Sequence, residues 1–317
     1  MLRKNKSKYV GLLAVSVAFF LLPLYVKDTY FLHVLIMICF NAIFAMGQSF
    51  IAKMGFTSFG HGAYAGIGAY TAVLSVIRFG LPFWLAFLLS GAVALIISFL
   101  FARVTLGLRR VYFAITTFAL AEILIGIYTN FHTSFGGAGG ISSIPHPAGI
   151  ETHAQYYYFS LTLMVITYIV LFRLSTSRFG MLCDGLNQSE SLEESVGIDT
   201  RQVRIVTFVV ACTFAGLAGC IMAFFLTAIN PNMFGVHLST HIIIYAVVGG
   251  LASITGAVVG AALLTVVGQL LYELGALTSL VFGAILIITV VFIPGGLAHA
   301  PWRRAASIIL NKRKAVR

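Results

Sequence analysis

The residue that places the strongest chemical demand on its surroundings is Glu122, near the middle of the apolar run Val111–Phe131. A charged side chain at the centre of a bilayer costs at least about 2.5–3.5 kcal/mol. No basic residue lies within helical neighbour distance, Arg109 and Arg110 being half a helix away. Glu122 is therefore expected to face the bundle interior, a hydrated cavity or a hydrogen-bonding group on another helix. Two roles stay open: it lines a solute path or gate, or it is a protonated or hydrogen-bonded clamp. Asn41 and Gln48 read as interhelical hydrogen bonds.

Other reactive types do not assemble into catalysis. His237 and His241 share a helix face, but a zinc protease needs Glu directly after the first His, and Leu238 stands there. They read as interfacial histidines. Cys39, Cys183, Cys212 and Cys220 form no C-x-x-C pair, and three lie in apolar runs, where thiols behave as small hydrophobes. No disulfide framework, metal site, catalytic constellation or resident cofactor is expected. The absence of any Gly-Lys dipeptide rules out a Walker A loop.

The elements that position these groups follow from composition. Of 317 residues, 60% are hydrophobic and 9% charged, against about 25% charged in an ordinary soluble domain. Mean hydropathy is +1.00. We therefore expect an all-α polytopic integral membrane protein. Its apolar runs are Tyr9–Val26, Tyr30–Ala52, His61–Ile77, Phe83–Ala102, Val111–Phe131, Tyr156–Leu174, Ile205–Ile229 and the 57-residue stretch His237–Ile293. That stretch suits three short crossings, broken near Leu251–Ile254 and Leu274–Leu277. With the N-terminus inside, 18 of the 20 Lys and Arg residues fall on the cytoplasmic side and only Lys27 and Arg78 outside. The expectation is about ten transmembrane helices with both termini cytoplasmic. They form one domain over 1–317, with a membrane core at 9–293 and a basic tail at 294–317 that contacts anionic lipid rather than nucleic acid.

Two loops stand apart. His132–Gln155, placed outside, has no Lys or Arg and is rich in Gly, Ser and Pro. Ser175–Arg204, placed inside, holds Asp184, Glu190, Glu193, Glu194 and Asp199, five of the nine acidic residues. Asn187-x-x-Glu190 and Ser191-x-x-Glu194 suit a helix start and Gly197 a helix end, which predicts a short exposed helix around Gln188–Val196. A polytopic protein with few loops has little use for such a helix unless something binds it.

Small residues concentrate at Gly60–Ala69 and Gly256–Ala262, including Gly62-x-x-x-Gly66 and Gly256-x-x-x-Gly260. Such faces let helix backbones approach closely. The alternative is that Gly55–Gly60 and Gly249–Gly250 break helices beside a path, which would place Ser58, Gly60, Gly62, Ser253 and Gly256 with Glu122 along it. The segments "GFTSFGHGAYAG" and "GLASITGAVVG" form a faint parallel repeat built on Gly-x-x-Ser.

From about Ala45 to Gly296 the sequence resembles the permease subunits of ABC importers for branched-chain amino acids. The resemblance is carried by "GFTSFGHGAYAGIGAYT", "LRRVYFAITTFALAEI", "GGAGGI", "FAGLAGCIMAF", "VVGGLASITGAVVGAALL" and "FIPGGL" in that order. It implies a multi-pass protein of the bacterial cytoplasmic membrane, paired with a second homologous permease. It also implies two cytoplasmic ATPase subunits, which bind the ATP, and an extracytoplasmic solute-binding protein. The ATPase would dock on the Gln188–Val196 helix, with Asn187, Glu190, Glu193, Glu194 and Gly197 as candidate contacts. Urea or another small amide or amino acid is the alternative solute. An ion-gradient-driven secondary transporter or channel, with Glu122 as proton carrier, is the alternative mechanism. The sequence departs from the family pattern twice. "GLNQSE" (Gly185–Glu190) lacks the arginine of the usual Ala-Ile-Arg-Glu-Asn-Glu-like run, and Arg110 stands where a glycine normally precedes Tyr-Phe-Ala.

Overall fold

The computed structural model describes residues 28–147, 149–195, 197–271, 277–293 and 295–297. The expected first span, Tyr9–Val26, lies outside the described residues, as does all of the basic tail except 295–297. The remaining apolar runs become helices, several of which start at a side-chain cap. Helix α1 (Thr29–Lys53) starts where the Asp28 carboxylate accepts the Tyr30 N–H at 3.0 Å. Helices α2 (His61–Phe79), α3 (Phe83–Thr105) and α4 (Arg110–Asn130) follow. The glycine-rich loop contains a short α5 (His132–Phe135) and a 3-10 turn, Gly137–Gly139. A capping box between Thr152 and Gln155 opens α6 (His153–Thr176).

The acidic loop folds as two helices, α7 (Arg178–Gln188) and α8 (Glu190–Ser195). In α9 (Thr200–Leu226) the Asp199 carboxylate accepts the Gln202 N–H at 3.0 Å, and Thr227, at φ 56°, ends the helix. The predicted run continued to Ile229, which instead leaves the helix to form an antiparallel bridge with Ile141. A 3-10 turn (Pro231–Phe234) leads into α10 (Val236–Gly249), α11 (Ile254–Leu270) and α12 (Leu277–Phe292). The first expected break in the last stretch falls at Gly250–Ser253 as read; most of the second lies among residues 272–276, outside those described.

Helix α2 is the core of the bundle and packs most extensively on α9 and α3, while α1 packs on α11, α6 and α9. The small residues explain how. Gly68 meets the carbonyl of Gly216, and Gly219 meets that of Ala65, so backbone lies on backbone and any side chain would overlap it. Gly62 and Gly66 accommodate Phe234 and Gly235, and Gly260 accommodates the Tyr245 carbonyl. Close approach supplies the dispersion attraction on which helices rely in lipid. Outside this core, α3 and α4 expose Trp84, Leu88, Ile96, Ile115, Phe118 and Ile123, a surface suited to an apolar solvent. Among the described residues, six helices are long and apolar enough to cross a membrane. The chain is an all-α polytopic membrane protein.

Candidate functional site

Between α1 and α2 the chain does not turn at the end of the bundle but re-enters it. A Cβ on Gly47 would lie 2.7 Å from His61 Nε2, and Gly47 is about 9 Å up α1 from Lys53. The segment Met54–Gly60 is therefore irregular backbone inside the bundle, where buried polar groups need a partner. The Phe59 N–H donates to Thr117 Oγ1 at 3.1 Å, and the Gly60 N–H to Ser58 Oγ at 3.3 Å. The Gly62 N–H donates to Ser239 Oγ at 2.9 Å. With its amide nitrogen and oxygen exchanged to match donors with acceptors, Gln48 spans Ser58, the nitrogen donating to Ser58 O (3.3 Å) and the oxygen accepting from Ser58 N–H (3.2 Å). Ser58, Gly60 and Gly62 thus come together at one junction of α1, α2, α4 and α10. Gln48, Thr117 and Ser239 serve it, and of these the sequence marked out only Gln48.

Ser253 and Gly256 belong to a different turn. There the Ser253 hydroxyl accepts the Gly256 N–H at 3.1 Å and caps α11, which packs back on α10 and α1. Asn41 does make the expected interhelical bond, donating through Nδ2 to Thr265 Oγ1 at 2.9 Å.

Basic residues gather at one end of the bundle and hold the α7–α8 elbow to it. Lys53, at the end of α1, pairs with Asp184 at 2.7 Å. Arg110, the first residue of α4, donates to the carbonyls of Asn187 (2.7 Å) and Leu186 (3.3 Å). The buried Arg204 of α9 pairs with Glu190, donates to Leu106 O at 2.9 Å, and lies over the Phe56 ring at 5.3 Å. Helix α7 buries Gly180, Cys183 and Leu186 on the core. Burial pushes the Cys183 thiol above its ordinary pKa, an effect only partly offset by the bond to Thr207 and by nearby Lys53.

Residues 30–290 match the family described as branched-chain amino acid transport system, permease component. The chain belongs to this family. It is similar to the high-affinity branched-chain amino acid transport system permease protein LivM of Escherichia coli, at 28% identity over 93% of this chain and 75% of that protein. LivM of Salmonella typhimurium is 27% identical over 80% of this chain and 67% of its own length. The high-affinity branched-chain amino acid transport system permease protein LivH of Escherichia coli is 28% identical over 47% of this chain and 52% of LivH. No solved structure matches. The chain is thus a non-enzymatic permease component of a branched-chain amino acid transport system.

Against that family pattern, the elbow differs from the expected single helix. A Ser177 cap, accepting the Phe179 N–H at 3.2 Å, starts α7 well before Gln188. Asn187 therefore lies in the last turn of α7 and begins no helix, and Ser191 lies inside α8. Gly197, at φ 81°, does end α8, its N–H donating to Glu194 O at 3.0 Å. The carboxylates are partly engaged within the chain. Glu190 pairs with Arg204, Glu194 accepts from Thr200 Oγ1 at 3.0 Å, and Glu193 packs over Gly185 with one oxygen buried and unpartnered. Asn187, Gln188, Ser191 and Met181 are exposed. The two departures from the family pattern prove to be neighbours: a Cβ on Gly55 would lie 2.5 Å from Asn187 Oδ1 and 2.7 Å from Arg110 Cζ. A guanidinium delivered by α4 thus reaches the segment that lacks its own arginine.

Glu122 is exposed on α4, on the face that also carries Ile115, Phe118 and Ile123. Of the three places expected for it, the interior of this chain's own bundle is not the one it occupies.

Proposed function

We propose that this chain is one permease half of an ATP-driven importer for branched-chain amino acids. It spans the cytoplasmic membrane of a bacterial cell about ten times, with both termini inside. The other half is a second homologous permease. Two cytoplasmic ATPase subunits bind and hydrolyse ATP, and an extracytoplasmic protein delivers the solute.

The observation that carries the reading is the α7–α8 elbow. It is tied by Lys53, Arg110 and Arg204 to the ends of three separate helices, α1, α4 and α9. Force applied to the exposed residues of the elbow, Asn187 among them, reaches all three. Arg110 and Thr117 both belong to α4, so tilting that helix also disturbs the re-entrant turn that holds Ser58, Gly60 and Gly62. Ser253 and Gly256 act at the corresponding turn before α11. The face of α4 bearing Glu122 points toward the second permease, where a carboxylate finds water or a hydrogen-bond donor instead of lipid.

Reconstitution tests the reading. Uptake of radiolabelled leucine requires the second permease, the ATPase pair, the binding protein and ATP. Gradient-driven uptake by this chain alone would refute it in favour of a secondary transporter. Labelling of Glu193→Cys from the outside of intact cells would refute the orientation. Glu122→Gln lowers transport without loss of assembly if the residue lines the path.

A further inference from the structure

A cavity of about 330 Å³ opens among α1, α9, the Pro231–Phe234 turn, α10, α11 and α12. No residue of α4 or of the re-entrant turn lines it, so it is separate from that turn. Its volume falls in the range of small-molecule pockets, about 300–1,000 Å³. Hydrogen-bonding groups on its wall are Asn41, Asn232, His237, His241, Tyr245, Thr265 and Gln269. His241 Nδ1 is buried with no hydrogen-bond partner, although a buried polar atom ordinarily has one. The His241 ring is held from both sides, 4.8 Å from His237 and edge-on to Phe282 at 4.9 Å between centroids. The two histidines thus line a pocket together.

The rest of the wall is apolar and adaptable. Met37, Met222 and Met233 supply thioethers from three different elements, and such side chains mould to aliphatic shapes. Among the described residues no Lys, Arg, Asp or Glu lines the cavity. An ammonium or carboxylate placed there would be desolvated without a counter-charge, at an effective cost of several kcal/mol per ion. An uncharged amide or hydroxyl exchanges its water for imidazole and amide partners and incurs no such penalty.

We propose that this cavity is a binding site for a small, uncharged, hydrogen-bonding molecule with an aliphatic body, such as a primary amide, and that it rejects zwitterionic amino acids. The site is a property of this chain alone and stands whether or not the chain works as half of an importer.

The test uses the full chain in lipid nanodiscs and four probes that share one isobutyl group: isovaleramide, leucine, isovalerate and isopentylamine. Radiolabelled isovaleramide is expected to bind saturably at one site per chain. The three charged analogues are expected not to displace it. Gln269→Leu and His241→Phe are expected to weaken binding by about fivefold or more, with the helical circular dichroism of the native chain retained. Displacement by leucine or isovalerate as effective as by unlabelled amide overturns the proposal. So does unchanged affinity in both variants, or the lack of saturable binding. Should either variant fail to fold, the charge series on the native chain decides alone.

Discussion

Two turns of this protein share one local pattern and put it to different use. In Gly55-x-x-Ser58 and Gly250-x-x-Ser253 the glycine has positive φ, 83° and 121°, and the serine hydroxyl accepts a backbone N–H at the start of the next helix. This is the physical content of the faint sequence repeat. Before α11 the turn is tight, and α11 folds straight back on α10. Before α2 the same pattern is followed by a re-entrant segment that ends deep in the bundle, where Thr117, Gln48 and Ser239 satisfy its backbone. A short local motif thus sets how a helix begins; the neighbours that receive it set where.

The comparison can be broken most severely at Gly60. A Cβ there would lie 2.7 Å from the Thr117 carbonyl, a backbone atom that cannot swing aside. Gly60→Ala is expected to destabilise the chain by about 2–3 kcal/mol, the cost of overpacking a tight contact, read as a lowered thermal midpoint and yield in detergent. Gly55→Ala and Gly250→Ala probe the shared part of the pattern. Each carries the positive-φ strain of about 1–3 kcal/mol, and the two are expected to shift the midpoint by similar amounts. A Gly55→Ala variant as stable as the native chain would break the parallel.

A finer cut separates depth from capping. Thr117→Val strands a Phe59 N–H inside the bundle and is expected to cost about 1–3 kcal/mol. Ser253→Ala removes an ordinary helix cap and is expected to cost about 1 kcal/mol. Equal losses would mean that the first turn is no more dependent on its neighbours than the second.

The first turn also touches the elbow, through Gly55, Arg110 and Asn187. Arg110→Gly restores the residue usual in the family and is expected to reduce ATPase-coupled transport severalfold with little loss of stability. Adding Asn187→Arg is expected to recover much of that loss. Failure of the second change to rescue would mean that Arg110 does not stand in for the missing arginine.

The smallest effect concerns Cys183, beneath the same elbow. The raised pKa means that its thiolate fraction at neutral pH is below that of a free cysteine. Maleimide is therefore expected to react very slowly with the folded chain, and faster as pH rises. Labelling that accelerates during ATP turnover, with Cys39, Cys212 and Cys220 still protected, would show the elbow lifting from the first turn.

Much of this was readable in the residues. The apolar runs located the helices to within a few residues, because a bilayer demands long uncharged segments whatever their neighbours. The small-residue clusters announced close packing. The family resemblance in "GFTSFGHGAYAG" and its companions was borne out by the match over residues 30–290. The elbow was read only in part. The spacing of Phe179, Leu182, Cys183 and Leu186 carries the periodicity of α7, but the acidic residues beyond it drew attention to Gln188–Val196. The engagement of Glu190 by Arg204 was not readable, since the two lie fourteen positions apart on different helices.

What the sequence determined by itself is the set of long apolar helices and the end of the bundle at which the basic residues collect. These follow from transfer free energies and hydrogen bonds between residues a few positions apart. Only the tertiary structure decided that Glu122 faces outward, that Met54–Gly60 dives back among the helices, and that two unusual residues, Arg110 and Asn187, meet. Each of those is a direction in space relative to a distant segment. Spacing along one helix fixes which residues share a face; only the packing of the other helices fixes what that face meets.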